Sequence, residues 1–203
     1  MKYPKIKLNF SLLVLILVNL LIFFQAIYSN LDVVSILLVY WTESVIIGFF
    51  IVIGMLFSRA EKDYSQGIRA RLIGIPFFIL HYSLFLFVHF IFIMVLGNNF
   101  AQNINLASYL TSLKSVFIYS LFLFVSHLIS FISNFIILKE NEKFDVWSLM
   151  LLPYRRIILM QITLILGALA VILSGNPQSI IFLLFFPLKI IFDVYGYVKE
   201  HRE

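Results

Sequence analysis

A series of apolar runs, each about as long as a bilayer is thick, constrains this chain more than any other feature. A membrane-crossing α-helix takes about 20 apolar residues. Six such segments can be read: about Leu8 to Tyr28, Val33 to Phe57, Ile73 to Leu96, Val116 to Leu138, Ile157 to Leu173 and Ile180 to Val198. None alternates apolar and polar residues as a transmembrane barrel strand must. Charged residues make up only 12 % of the chain, against about 25 % in soluble domains. At 62 % hydrophobic, a chain of 203 residues has too little interior to hide its Phe, Ile and Leu side chains without a second apolar solvent. The expectation is an all-α integral membrane helical bundle of about six transmembrane helices, forming one domain over residues 1–203.

Orientation follows from the loops, because Lys and Arg concentrate on the cytoplasmic side. Lys2, Lys5 and Lys7 precede the first run, and Arg59, Lys62, Arg69 and Arg71 separate the second from the third. Lys139, Lys143, Arg155 and Arg156 separate the fourth from the fifth, and Lys199 and Arg202 follow the sixth. The alternate loops hold only Lys114. All the basic segments share one side if there are six spans with both termini cytoplasmic, which places the protein in the cell membrane as a multi-pass protein. The first run is too long for a signal peptide and reads as an anchor. Asn98, Asn99, Asn103 and Asn105 mark an exterior loop, and Gly175-Asn176-Pro177 an exterior turn. Phe144 to Leu152, with Trp147, reads as a short interfacial segment before Pro153 opens the fifth helix.

Several function classes fall away. The chain has no Cys, which removes disulfides, cysteine nucleophiles and Cys-ligated cofactors. Its formal charge of +5 sits at the ends of apolar runs, not in a phosphate-binding patch, so nucleic acid is not an expected partner. The expected partners are the lipid bilayer and, in a complex, further copies of the chain or other membrane subunits.

Ionisable groups inside a span are costly, about 2.5–3.5 kcal/mol each on insertion scales, and therefore informative. Glu43 lies about ten residues into the second run. His81 and His89 occupy the third, about 80° apart on one broad face. His127 lies mid-way along the fourth, where Ser120, His127 and Asn134 repeat every seven residues along one stripe bordered by Ser126, Ser130 and Ser133. The sixth holds Lys189 and Asp193, four apart and able to neutralise each other as an intramembrane ion pair. Arg155 and Arg156 mark the cytoplasmic boundary, where topology and lipid headgroups are their ordinary roles.

Glu43, His81, His89, His127 and Asp193 are the candidates for a metal site or a proton relay. Carboxylate and imidazole are ligands for divalent Zn, Fe or Mn, and imidazole also exchanges protons near neutral pH. Against this stands the plainer role of intramembrane His and Ser in helix packing, which is the favoured role for His89 and the serines. No nucleophile can be assigned, so no catalytic residue is named. The two functions carried forward are a polar intramembrane Glu/His site, serving a membrane enzyme or small transporter, and an accessory subunit of a membrane complex with no site of its own.

The segment Tyr40-Trp41-Thr42-Glu43, then Phe78 to Tyr82 with His81, His89, Arg155-Arg156-Ile157, and Lys189 with Asp193, resembles a family of uncharacterised prokaryotic multi-pass membrane proteins. The resemblance implies the architecture and these candidate residues, with no activity attached. It also implies a His in the fifth span where this chain has Gln161, which removes one potential ligand. Phe77–His81 and Phe85–His89 share an F-x-x-x-H spacing with intramembrane CAAX-processing proteases, but the paired glutamates of that family are absent around Glu43, where Thr42 precedes and Ile47 follows.

Overall fold

The computed structural model describes residues 33–59, 64–100 and 106–154, with single positions between 13 and 28 and between 157 and 162. All its secondary structure is helical: α1 (Val33–Phe57), α2 (Tyr64–Phe100), α3 (Leu106–Ser130), a π-helical turn at Phe131–Ile137, a 3₁₀ turn at Glu140–Glu142 and α4 (Val146–Leu151). Among the described residues, three stretches are long and apolar enough to cross a membrane: Val34–Phe57, Ser65–Val95 and Ser112–Ile137. These are the second, third and fourth expected spans. The sixth, with Lys189 and Asp193, lies outside the described residues, as do Arg155 and Arg156 and most of the first and fifth.

The helices are apolar on nearly every face, and large side chains such as Leu72, Leu80, Phe87, Phe117 and Phe122 are exposed. A surface of this kind suits lipid, not water. α1 is the central element, packing antiparallel to α2 and parallel to α3. Near its start, Ile36, Val39 and Tyr40 bury against Ile93 of α2 and Tyr119 and Leu123 of α3. Toward its other end, Met55 joins Ala70, Phe78 and Tyr82 of α2, Phe135 of the π turn, and Val146 and Leu149 of α4.

Polar contacts fix the helix pairs. Trp41 Nε1 donates to the Leu86 carbonyl at 2.8 Å, and the Tyr82 hydroxyl donates to the Ser44 carbonyl at 2.8 Å. In a bundle with little water to satisfy backbone groups, such bonds lock helix rotation. At one end, Ser58 Oγ donates to the Phe144 carbonyl at 2.6 Å and the Arg59 amide to the Asn141 carbonyl at 2.7 Å, while Arg71 donates to the Ser58 carbonyl. These bonds gather Arg59, Arg71 and the segment around Lys139 and Lys143 at a single end of the bundle, the basic end. Lys114 lies toward the opposite end of α3.

α4 begins where Asp145 caps it, its carboxylate accepting from the Ser148 amide at 2.7 Å. Such a cap supplies about 1 kcal/mol by satisfying an amide the first turn leaves open. Only one face of α4 is buried, through Val146 and Leu149, and Trp147 points outward. The expected interfacial segment is therefore a short amphipathic helix docked on the bundle. Ile157 N donates to the Pro153 carbonyl at 3.2 Å, so Pro153 does stand at the start of a helical turn.

Gly48 marks the closest approach of α1 and α2. A Cβ there would lie 2.5 Å from Cε1 of Tyr82, whose ring is stacked on Phe78 and tethered to Ser44. At Gly54 the nearest neighbour of an added Cβ is Phe135, at 3.6 Å, an ordinary contact. Gly48→Ala is expected to destabilise the bundle by about 1–3 kcal/mol through overpacking, and Gly54→Ala to be neutral or slightly stabilising through helix propensity. Thermal unfolding of the two variants in one detergent gives the order, and a reversed order would show that Tyr82 does not hold the α1–α2 contact.

Candidate intramembrane Glu–His site

The stripe of α3 predicted from its seven-residue repeat faces α1. Thr42 Oγ1 and Ser120 Oγ meet at 2.8 Å, each also within reach of a carbonyl of its own helix, Leu38 or Val116. Nearer the basic end, Glu43 Oε1 and His127 Nε2 lie 3.3 Å apart. Both residues stand near the middle of their candidate spans. Their side chains are only 4 % and 13 % exposed, so neither is set in bulk water.

The physics of such a pair is restrictive. An isolated carboxylate in an apolar interior costs several kcal/mol, so it must be protonated, paired or wetted. With one titrating proton between them, Glu43 and His127 are net neutral whether it rests on the carboxyl or completes the imidazolium. Removing it leaves a net negative charge and adding another a net positive one, both penalised by the low dielectric. The separation is longer than the roughly 2.7–2.9 Å of a tight charge-assisted bond, so the pair has room to tighten.

His127 also forms part of the wall of a cavity of ≈ 140 Å³. Phe50, Ile51 and Gly54 of α1 form one side. His127 and Ser130 of α3, with Phe131, Asn134 and Phe135 of the π turn, form the other, and Phe144, Leu149 and Leu152 lie at the basic end. His127, Ser130 and Asn134 succeed one another by three and four residues, the helical spacing that keeps side chains on one face. Asn134 Nδ2 donates to Ser130 Oγ at 3.2 Å, and the wider turn of the π segment keeps Asn134 and Phe135 buried. π turns of this kind occur often at functional positions.

The other candidates go elsewhere. His81 Nδ1 meets the Tyr154 hydroxyl at 2.6 Å, with the imidazole stacked on Phe77. Burial pushes the Tyr154 phenol above its ordinary range, so it keeps its proton beside His81. His89 is buried at 3 % exposure, donating Nδ1–H to the Phe85 carbonyl at 2.7 Å, and its Nε2 has no hydrogen-bond partner. Among the described residues no three His, Asp or Glu side chains come together as a metal-holding group. Sequence reasoning missed Tyr154 as the partner of His81 and the phenylalanine walls of the cavity. Tyr154 carries no signal that distinguishes it from an interfacial anchor, whereas Phe131 and Phe135, four apart beside Asn134, share a helical face in the sequence.

An all-helical bundle with span-length apolar helices and a buried Glu–His couple is the class these features define. The chain belongs to a family of unknown function, DUF6498, which it matches over residues 1–203. No curated protein and no solved structure matches it.

The contacts separate two His sites, and a pair of double-mutant cycles reads the separation. Glu43→Gln with His127→Phe should show a coupling of about 1–3 kcal/mol, the range of a hydrogen bond to a charged group. His81→Phe with His127→Phe should be additive within about 0.5 kcal/mol, because the two share no partner. Unfolding free energies in detergent supply both numbers, and strong coupling between the two His would mean they belong to one network.

Proposed function

We propose that this is a six-span membrane protein with both termini in the cytoplasm, and that Glu43 and His127 form a proton-linked site reached through the adjoining cavity. The observation that carries the reading is the contact of Glu43 with His127, a residue of the cavity wall, far from either end of two span-length helices. Support for the topology comes from the gathering of Arg59, Arg71, Lys139 and Lys143 at one end of the bundle, as the distribution of basic residues on cytoplasmic loops requires. On that orientation the cavity lies on the cytoplasmic side of the couple, with Leu149 of α4 in its wall. One-sided access of this kind suits a membrane-embedded enzyme or a binding step of a small transporter.

A divalent metal at the same place would have two protein donors from the described residues, Glu43 and His127, fewer than a structural or catalytic site ordinarily employs. The proton-linked reading needs no third ligand. The accessory-subunit reading predicts instead that the couple never changes its protonation.

Infrared titration of protein in nanodiscs distinguishes these. A carboxyl stretching band that is absent in Glu43→Gln, that titrates with pH, and whose titration moves in His127→Phe is the expected result. A Glu43 carboxyl with no pH response would sink the proton-linked reading in favour of a structural one. Metal retained near one equivalent after purification, and lost in both variants, would replace it with a metal site.

The absence of Cys makes the topology directly testable. Single cysteines at Asn103 and Asn176 should react with an impermeant maleimide added outside intact cells, and those at Lys62 and Lys143 only after lysis. Outside labelling at Lys143 would overturn the six-span arrangement.

A further inference from the structure

We infer that the cavity beside the Glu43–His127 couple binds a small planar aromatic molecule carrying one hydroxyl group, a ligand of the phenol class. The inference deepens the proposed function by naming what occupies that site, and it rests on that reading and on His127's place in the cavity wall.

Size sets the first limit. A cavity of ≈ 140 Å³ is close to the roughly 150 Å³ that accepts one benzene ring in an engineered protein core. Shape and chemistry set the second. Phe131 and Phe135 stack with centroids 4.8 Å apart, and Phe50 lies 5.4 Å from Phe131 at a tilt of 33°. Walls of this kind offer ring faces and edges at the spacings a further aromatic ring prefers.

The polar atoms select the hydroxyl. With Nε2 of His127 turned to Glu43, Nδ1 has no hydrogen-bond partner among the described residues. When the shared proton rests on the Glu43 carboxyl and neutral His127 donates Nε2–H to its Oε1, Nδ1 is an acceptor. Ser130 Oγ accepts from Asn134, and its own proton is given to no described residue. An acceptor and a donor therefore stand three residues apart on one helical face. A hydroxyl is the smallest group that donates to one and accepts from the other at once. A wholly apolar ring would leave both unsatisfied, at a cost a buried polar group does not tolerate well. A carboxylate would bring a third titrating charge beside Glu43.

The experiment uses the full chain in nanodiscs and fluorine NMR of 4-fluorophenol and fluorobenzene, which differ only in the hydroxyl. Wild type should bind 4-fluorophenol saturably and fluorobenzene more weakly. Gly54→Leu, which projects a side chain into the cavity from the α1 wall, should abolish binding of both. Because that variant can fail to fold, Ser130→Ala provides a second reading. It should weaken 4-fluorophenol about five-fold, the worth of one hydrogen bond near 1 kcal/mol, and leave fluorobenzene unchanged. No saturable binding by wild type overturns the inference. So does equal affinity for the two probes with Ser130→Ala without effect, which would mark a dry apolar void. Saturable 4-fluorophenol binding to protein whose Glu43 carboxyl does not titrate would leave this inference standing and remove the proton-linked reading. A titrating carboxyl without 4-fluorophenol binding would do the reverse.

Discussion

A carboxyl group in the middle of an otherwise apolar helix decides which face of that helix turns inward. Val33–Phe57 has almost no amphipathic stripe to orient it, since lipid and protein interior are about equally apolar surroundings for Ile, Val and Phe. Glu43 breaks that symmetry. Leaving it toward lipid costs several kcal/mol, and turning it to His127 satisfies it and fixes the rotation of α1 and α3 together. Thr42 with Ser120 repeats the arrangement nearby at lower energy. With those faces committed, Trp41, Ser44 and Gly48 fall toward α2, where Leu86 and Tyr82 meet them.

The basic end is built differently. There the chain must reverse twice and still satisfy its backbone, and it does so by stapling one turn to the other. Ser58, at the end of α1, is wholly buried because it bonds to Phe144 while Arg71 holds its carbonyl. Lys139 ends the π turn with φ at 55°, a left-handed conformation that Gly more often supplies. This kink releases the chain from α3, so that Asp145 can cap α4 and lay Leu149 across the cavity. The staple and the cavity are therefore one construction: the Ser58–Phe144 bond and the burial of Val146 and Leu149 together set how deep α4 sits.

How much of this the sequence displays depends on the kind of force at work. The hydrophobic runs that require a bilayer are written in composition, and three of them appear as helices where expected. The stripe of Ser120, His127 and Asn134 was legible because the seven-residue repeat of a helix is a geometric fact. Its orientation toward Glu43 was not, because that depends on packing between distant segments. The extension of α2 back to Tyr64 was hidden too: Gln66, Gly67, Arg69 and Arg71 read as loop, and become helix because Ala70 packs into the core and Arg71 reaches Ser58. His81 shows the limit most plainly. By residue type it is as good a ligand as His127, and only the fold assigns it to Tyr154.

The same energetics that place the couple also define what it can do. A buried Glu–His pair is comfortable only when it is net neutral, so any change of its proton count must be matched by a charge or a dipole brought to it. The cavity offers such a match beside His127, because the imidazole, Ser130 and Asn134 lie in a wall otherwise made of hydrocarbon and aromatic rings. A neutral guest with a hydroxyl changes the balance gently, by a hydrogen bond to the nitrogen that Glu43 does not use. A fixed charge would change it by the full cost of desolvation. The site is thus graded toward neutral, hydrogen-bonding occupants by the dielectric around it, before the shape of any particular molecule is considered.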